Sequence, residues 1–232
     1  MGTTFNNIAK SNDFDSDELY TPMCLVEIIK PFFEDWLNRW YSKNNRKPIV
    51  WCPFDTKKSS FVKFFQRYDN IDLVWSHLID EDGDGHFTGD FFEKVKTQDF
   101  DIVISNPPFS EKLRIFRILD EKNKPWALIC NMMAINYQEI GSHFVNHPVG
   151  FIIPDKKVSF DGNTASFCSG YYCSDSFFSG NKFVHLEDNN SKQYFKPSEM
   201  ISELELILFK KKKIKELEEL KLKKCGIIPS NT

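Results

Sequence analysis

Short apolar runs alternate with amphipathic stretches along most of the chain, and this alternation predicts an α/β fold. Runs rich in β-branched and aromatic residues predict buried strands at 48–52, 71–78, 100–105 and 126–131. Apolar residues at helical spacing predict helices over 21–41, 59–68, 112–120 and 136–146. Strands that alternate with helices in this way favour a mainly parallel sheet.

The pattern changes after residue 146. Closely spaced strands are predicted at 149–154, 158–160, 165–173 and 182–186, and they add an antiparallel edge to the sheet. At the other end, Thr21 is predicted to be the N-cap of the first helix, with Pro22 at its first position. Pro31 lies within the same helical stripe and should kink or split the helix.

The segment 198–224 has a different character, because a patchy apolar stripe is crowded by lysines. Between Lys210 and Lys224 there are eight lysines and three glutamates. We expect a Lys-rich helix with three alternative roles: a solvated face, a grip on nucleic-acid phosphates, or packing on the body or on a second copy in a dimer. The predicted organisation is a flexible N-terminus (1–17), one domain (18–197) and a helical extension (198–232).

Composition narrows the classes of protein that fit. A chain of 232 residues that is 41% hydrophobic predicts a globular protein with one main core. The net charge of −3 is not typical of nucleic-acid binders, so any such contact requires a local basic patch. The polar N-terminus and the lack of a long apolar run predict a cytoplasmic protein with no membrane segment.

Cysteines and histidines suggest no metal. The six cysteines contain no C-x-x-C pair and are expected to be reduced, and the five histidines show no metal spacing. Asp80, Asp82 and Asp84 match the first half of a calcium loop, but Phe91 stands where that loop requires a glutamate. We therefore interpret residues 80–85 as a hydrated connector.

The run Ser105-Asn106-Pro107-Pro108-Phe109 carries the most specific chemistry. Two prolines end the preceding strand in a stiff turn, at the sheet edge where open α/β sheets bind ligands. The Asn106 amide oxygen and the Pro107 carbonyl can each accept one N–H of an amino group, and Phe109 offers a flat face for a base. Position and oriented dipoles then suffice for methyl transfer to an exocyclic amine. The alternative interpretation is a turn that merely ends a strand.

On these residues the chain resembles S-adenosylmethionine-dependent amino-methyltransferases, whose motif is Asn/Asp/Ser-Pro-Pro-aromatic. The Asn-Pro-Pro-Phe form resembles the adenine-N6 enzymes. The order of the matching pieces resembles the EcoRI-type adenine-specific methylases of restriction-modification systems, phages and mobile elements. These pieces span about residues 18–185 and are Tyr20-Thr21-Pro22, Cys52-Pro53-Phe54-Asp55, Ser60-Phe61-Val62, Gly89-Asp90-Phe91-Phe92, Asn106-Pro107-Pro108-Phe109 and Ser169-Gly170-Tyr171-Tyr172-Cys173.

The resemblance implies a Rossmann-like class I methyltransferase fold, S-adenosyl-L-methionine as cofactor, and methylation of a flipped-out adenine in DNA. It places the amine on the catalytic run Asn106-Pro107-Pro108-Phe109. The implied cofactor contacts are Thr21, Pro22 and Asp55 at the amino-acid end, Ser76 at the ribose, and Asp90 and Phe91 at the adenine. Four further implied contacts have no assigned part of the cofactor: Tyr20, Pro53, Phe54 and Asn106.

Two departures from the family pattern leave other functions open. No glycine occurs between Trp51 and Gly83, where related enzymes carry a glycine-rich turn, and Ser76 stands where an acid usually binds the ribose. Thr21 and Asp55 are equally interpretable as helix N-caps, and Asp90 as a turn aspartate. The rivals are RNA or protein-glutamine methylation, and a catalytically silent relative that binds nucleic acid or a partner protein.

Overall fold

One seven-stranded sheet organises the computed structural model, which describes residues 21–78, 88–160 and 168–186. In chain order its strands are β1 (Ile49–Cys52), β2 (Asp72–Trp75), β3 (Ile102–Ser105), β4 (Trp126–Asn131), β5 (Val149–Pro154), β6 (Ser169–Ser174) and β7 (Asn181–Val184). Their order across the sheet is β2-β1-β3-β4-β6-β5-β7. Only β6 runs against its neighbours among these strands, between β4 and β5. The predicted mainly parallel α/β sheet with an antiparallel edge region is confirmed.

The helices of the described ranges connect these strands. They are α1 (Met23–Glu27), α2 (Lys30–Tyr41), α3 (Ser60–Phe65), α4 (Phe91–Thr97), α5 (Lys112–Glu121) and α6 (Gln138–Asn146), and a 3-10 turn (Met132–Asn136) precedes α6. The expected split at Pro31 is confirmed, since α1 ends at Glu27 and Pro31 lies in the first turn of α2. No helix within the described ranges is long and apolar enough to cross a membrane.

Two apolar layers, one on each face of the sheet, form the core. Successive residues of β3 alternate between them: Ile102 and Ile104 belong to one layer, and Val103 to the other. Helices α1, α2 and α3 supply the first layer, whereas α4, α5 and α6 supply the second. Helices on both faces of a largely parallel sheet make this a doubly wound α/β fold.

Some local predictions are wrong, each for an identifiable reason. Pro22, not Thr21, occupies the N-cap of α1, because its ψ of 138° is extended and the helix starts one residue later. Residues 158–160 form no strand. Tyr20, the predicted connector at 80–85 and the Lys-rich segment 198–224 lie outside the described residues.

The strand order creates one crevice by topology alone. From β1 the chain moves to β2 on one side and then returns to β3 on the other side, so the order reverses between β1 and β3. The carboxyl ends of parallel strands at such a reversal are where open α/β sheets bind ligands. The turns after β1 and β3 carry Asp55 and Asn106, respectively.

Candidate active site

Asp55 and Ser105 join the two turns at the β1/β3 crevice. The Ser105 hydroxyl donates a hydrogen bond to Asp55 Oδ2 at 2.5 Å, and the Asp55 backbone N–H donates to the Ser76 carbonyl at 3.0 Å. Asp55 is only 5% exposed. The structure therefore brings the predicted Pro53-Phe54-Asp55 turn directly against the strand that leads into the Asn-Pro-Pro-Phe run.

Burial makes the Asp55 carboxyl a weaker acid than usual. Loss of solvation raises its pKa to about 6, although hydrogen bonds from Ser105 and Ser59 and the charge of His77 act in the opposite direction. At neutral pH an ionised carboxylate is thus held in a poorly solvated place. A cationic group placed beside it would relieve that unfavourable solvation.

Asn106 carries an unsatisfied acceptor. Its Oδ1 atom is buried and has no hydrogen-bond partner within the part of the chain that the structure describes. Buried polar atoms are almost always paired, and leaving one unpaired costs about 1–3 kcal/mol. Ser169 Oγ is in the same situation, at the start of β6 opposite Asn131 at the end of β4. Both unsatisfied atoms therefore lie at the same edge of the sheet, and the sequence marks Ser169 only as the first residue of a piece that resembles a late strand of the methylase family.

Phe109 belongs to a small group of rings around a lysine. The Lys112 ammonium donates to the Phe109 carbonyl at 2.9 Å, and it lies 5.9 Å from the Phe109 ring centroid and 5.7 Å from that of Tyr137. Pro107 is buried, whereas Pro108 and Phe109 are half-buried. The Asn-Pro-Pro-Phe turn thus presents an aromatic ring and a cation beside the Asn106 amide.

The turn after β4 adds an exposed apolar rim next to this group. We define the rim as Met133, Ile135 and Tyr137, which are 60%, 39% and 64% exposed. The Tyr172 hydroxyl anchors the rim from below, since it accepts from the Ile135 N–H at 3.2 Å and lies 3.2 Å from the carbonyls of Asn131 and Met132. Tyr172 itself is a core residue of β6, which lies within the predicted strand 165–173 and its next residue. The rim was missed from sequence because only the fold places it beside Phe109.

Asp90 and Phe91, the predicted adenine contacts, each have a structural role in the fold. Asp90 is exposed and is the N-cap of α4, where its Oδ1 accepts from the Phe92 N–H at 2.7 Å. Phe91 is 4% exposed and packs on Trp51 and Phe54, with ring centroids 5.6 Å and 4.9 Å away. The half-buried Phe54 is the more accessible ring of this cluster. Ligand contact by Asp90 and Phe91 stays a prediction.

Four other predicted cofactor contacts are buried or half-buried in the packed structure: Ser76, Thr21, Pro22 and Pro53. Ser76 is 1% exposed; its hydroxyl accepts from the Trp51 indole N–H at 3.1 Å and donates to the Pro53 carbonyl at 3.4 Å. This arrangement supports the turn that carries Asp55, and nothing in it favours a ribose contact. Thr21 is buried directly before α1, and Pro22 is half-buried. Their ligand contacts likewise stay predictions.

A separate apolar recess of about 520 Å³ lies at the other end of the sheet, beside β7. Its walls include Phe32 of α2, Phe178 and Phe183. Four places in the strand order separate β7 from β3. The recess is therefore distinct from the candidate active site.

Comparison with known proteins adds a distant structural similarity. No protein-family model and no curated protein matches the chain. A solved structure from Listeria monocytogenes, provisionally classified as a class I S-adenosylmethionine-dependent methyltransferase, is similar at 10% identity and a TM-score of 0.47. The similarity covers 83% of this chain and 72% of that one. The fold assignment depends on the strand order and the two packed faces described above.

Proposed function

We propose that this protein transfers a methyl group from S-adenosyl-L-methionine to the N6 amino group of adenine in DNA. The observation that supports this most strongly is the buried, unpaired Asn106 Oδ1 at the carboxyl end of β3, within an Asn-Pro-Pro-Phe run. An acceptor left unpaired at the topological crevice suits a ligand that donates an N–H.

The residues of this turn provide placement without a strong base. Asn106 Oδ1 and the Pro107 carbonyl would each accept one hydrogen of the amino group, which turns the nitrogen lone pair towards an electrophile. The Pro107-Pro108 pair fixes the backbone between these acceptors and Phe109. The Phe109 ring would stack on the base. These interactions strengthen as the nitrogen becomes tetrahedral, so they favour the transition state over the bound substrate.

The Asp55 carboxylate fits the charged end of the methyl donor. When bound, the donor supplies an electrophilic methyl group on a sulfonium. Asp55, whose pKa is raised to about 6 by burial, would receive the ammonium of the amino-acid end, and Thr21 and Pro22 would contact the same end. Asp90 would accept from the adenine amino group of the cofactor, and Phe54 or Phe91 would pack on that ring.

The surroundings of Phe109 favour a planar substrate attached to an anionic backbone. Phe109 and Tyr137 offer two ring faces, and the Lys112 ammonium stands between them. Aromatic faces bind unstacked bases, and ammonium groups bind phosphates. A flipped adenine with its flanking phosphate would use both features.

The decisive test is Asn106→Ala in a tritiated-methyl transfer assay on DNA with the full chain. We expect turnover to fall about 100-fold or more, because a preorganised polar contact of this kind is worth that much. Thermal melting should stay nearly unchanged, because no intramolecular hydrogen bond of Oδ1 is lost within the described residues. Asn70→Ala, an exposed residue next to the opposite edge of the sheet, is the control.

The same assay separates the rival functions. A substrate panel of DNA, RNA and a glutamine-containing peptide identifies the accepted amine. Calorimetry with S-adenosyl-L-methionine tests the silent alternative, which gains support from the buried Ser76 hydroxyl and the capping role of Asp90. No heat of binding together with retained DNA binding would overturn the proposed activity, as would full turnover in Asn106→Ala.

A further inference from the structure

Three potential metal ligands meet where helices α5 and α6 end. Asp120 lies in the last turn of α5, and His143 and His147 are one helical turn apart near the end of α6. One ligand atom from each of the three side chains lies within 4.8 Å of the other two. The sequence analysis assigned no metal spacing to the histidines. The structure nevertheless brings two of them together with a carboxylate, because an i, i+4 pair shares one helix face and α5 places Asp120 beside it.

Hydrogen bonds around the cluster orient two of the ligands. The Trp126 indole N–H donates to Asp120 Oδ1 at 2.8 Å, which leaves Oδ2 directed at His143. His147 Nδ1 lies 3.0 Å from the His143 carbonyl. Because a carbonyl can only accept, Nδ1 carries the hydrogen and the lone pair of neutral His147 is on Nε2. A histidine held in this way by a backbone carbonyl is the usual arrangement of a metal ligand.

The hydrogen-bonded pair of the cluster requires only a small adjustment to hold an ion, and the third ligand must move closer. His143 Nε2 and Asp120 Oδ2 are 2.8 Å apart and share a hydrogen. Two ligands about 2.0–2.1 Å from a tetrahedral Zn²⁺ are about 3.3 Å apart, so this pair would open by about half an ångström as the ion replaces that hydrogen. The third ligand can approach, because His147 is exposed at the end of its helix.

The burial of the cluster suits three protein ligands and one open position. The side chains of His143 and Asp120 are only 6% and 14% exposed, whereas His147 is exposed. The two imidazole rings are stacked, with centroids 4.3 Å apart and planes at 18°. A simple ion pair between α5 and α6 would need His143 alone. The second imidazole, stacked on the first and oriented by its own hydrogen bond, is the feature that a metal explains.

We infer that Asp120, His143 and His147 form a binding site for one divalent transition metal, with Zn²⁺ as the best match to two nitrogens and one oxygen. The ion would fasten the end of α5 to the end of α6. Helix α5 begins three residues after Phe109 and α6 begins directly after Tyr137, so the ion would stabilise the supports of the candidate active site from their far ends. This inference does not depend on the proposed methyl transfer.

The first test is Zn²⁺ binding by the full, tag-free chain after removal of metal with a chelator. We expect calorimetry to give one site, and Zn²⁺ at about 100 times its Kd to raise the Tm by roughly 5–10 °C. His147→Ala should abolish both effects while the metal-free Tm changes little, because His147 is exposed. Asp120→Asn, which keeps an acceptor for Trp126, should weaken binding at least tenfold.

The matched control is His185→Ala. His185 is an exposed histidine that bonds Asp155 at 2.5 Å, and no third ligand joins this pair among the described residues, so its removal should leave Zn²⁺ binding unchanged. Co²⁺ should produce visible d–d bands without the near-ultraviolet charge-transfer bands of a thiolate ligand. Equal Zn²⁺ affinity in His147→Ala and the unaltered chain, no binding at all, or a thiolate spectrum would each overturn the site.

Discussion

Two side chains at the crevice, Asp55 and Asn106, have features that do not favour the folded state. Asp55 is a carboxyl group whose burial raises its pKa to about 6, and Asn106 keeps a buried oxygen without a partner within the described residues. Packing and topology elsewhere must stabilise the fold against both. Local strain of this kind is characteristic of sites prepared for a ligand.

The pH dependence of stability should reveal Asp55. Because its folded-state pKa lies above its ordinary value of 3.8, the folded state binds more protons between about pH 4 and pH 6, and stability falls as the pH rises through that window. Asp55→Asn should therefore gain stability relative to the unaltered chain as the pH rises, by about 2 kcal/mol between pH 4.5 and pH 7.5. Urea unfolding at both pH values measures the difference. The same gain at both pH values would contradict the assigned pKa.

At the scale of elements, the 3-10 turn after β4 is the part of the site that depends most on its contact with β6. Its exposed rim is held in place by one core hydroxyl, that of Tyr172, through the Ile135 N–H. An apolar rim exposed to water is unusual for a turn unless it meets a partner. Its position therefore depends on β6, which also contributes the unpaired Ser169 hydroxyl to this edge. At the neighbouring Gly170, the backbone carbonyl oxygen of Ile152 would lie 2.8 Å from an added Cβ and leaves no room for a side chain.

Tyr172→Phe should separate the position of the rim from the stability of the core. Loss of the hydroxyl leaves the Ile135 N–H without its partner and should cost about 1–2 kcal/mol. If the rim contacts DNA as proposed, KM for DNA should rise several-fold with little change in kcat. The control is Tyr171→Phe, whose hydroxyl bonds Val26 in the other core layer at 3.4 Å. An equal change in KM for both variants would exclude a specific role for the rim.

The sequence predicts where helices and strands lie better than it predicts which of them contact each other. The strands β4 and β5 were bounded correctly because each is an apolar run ended by a polar residue or a proline. The Asn-Pro-Pro-Phe turn was identifiable because two prolines permit few backbone conformations. By contrast, the cluster of Asp120 with His143 joins two helices, and the rim reaches Phe109 only through strand pairing. Such contacts are set by tertiary packing, which no local pattern encodes.

At the scale of the whole molecule, the two ends of the parallel strands have opposite roles. The turns after the carboxyl ends of β1 and β3 carry the poorly solvated Asp55 carboxyl and the unpaired Asn106 Oδ1, whereas hydrogen bonds hold the amino ends of these strands. There the buried Asp101 accepts two hydrogen bonds from the Arg46 guanidinium, at 2.6 and 2.7 Å, and a third from the Ile49 N–H at 2.8 Å. Stability and chemistry are thus separated along the strands.

Asp101→Asn should therefore affect stability and spare activity. Loss of the charge removes the bidentate pairing at a buried position, which should cost about 2–3 kcal/mol in urea unfolding at pH 7. Glu27→Gln disrupts an exposed pair with Arg67 and should cost less than about 1 kcal/mol. Methyl transfer per folded molecule should be unchanged in both. A loss of turnover in Asp101→Asn without a loss of stability would contradict this separation.

The position of β6 in the sheet has a consequence for folding during translation. Since β6 fills the place between β4 and β5, the outer backbone groups of β4 have no strand to pair with until Ser174 has left the ribosome. The open edge of a largely apolar strand such as β4 is a template for association with other chains. Nascent or truncated chains that stop before β6 are therefore the species most exposed to aggregation, and chaperone capture during synthesis should concentrate on that interval.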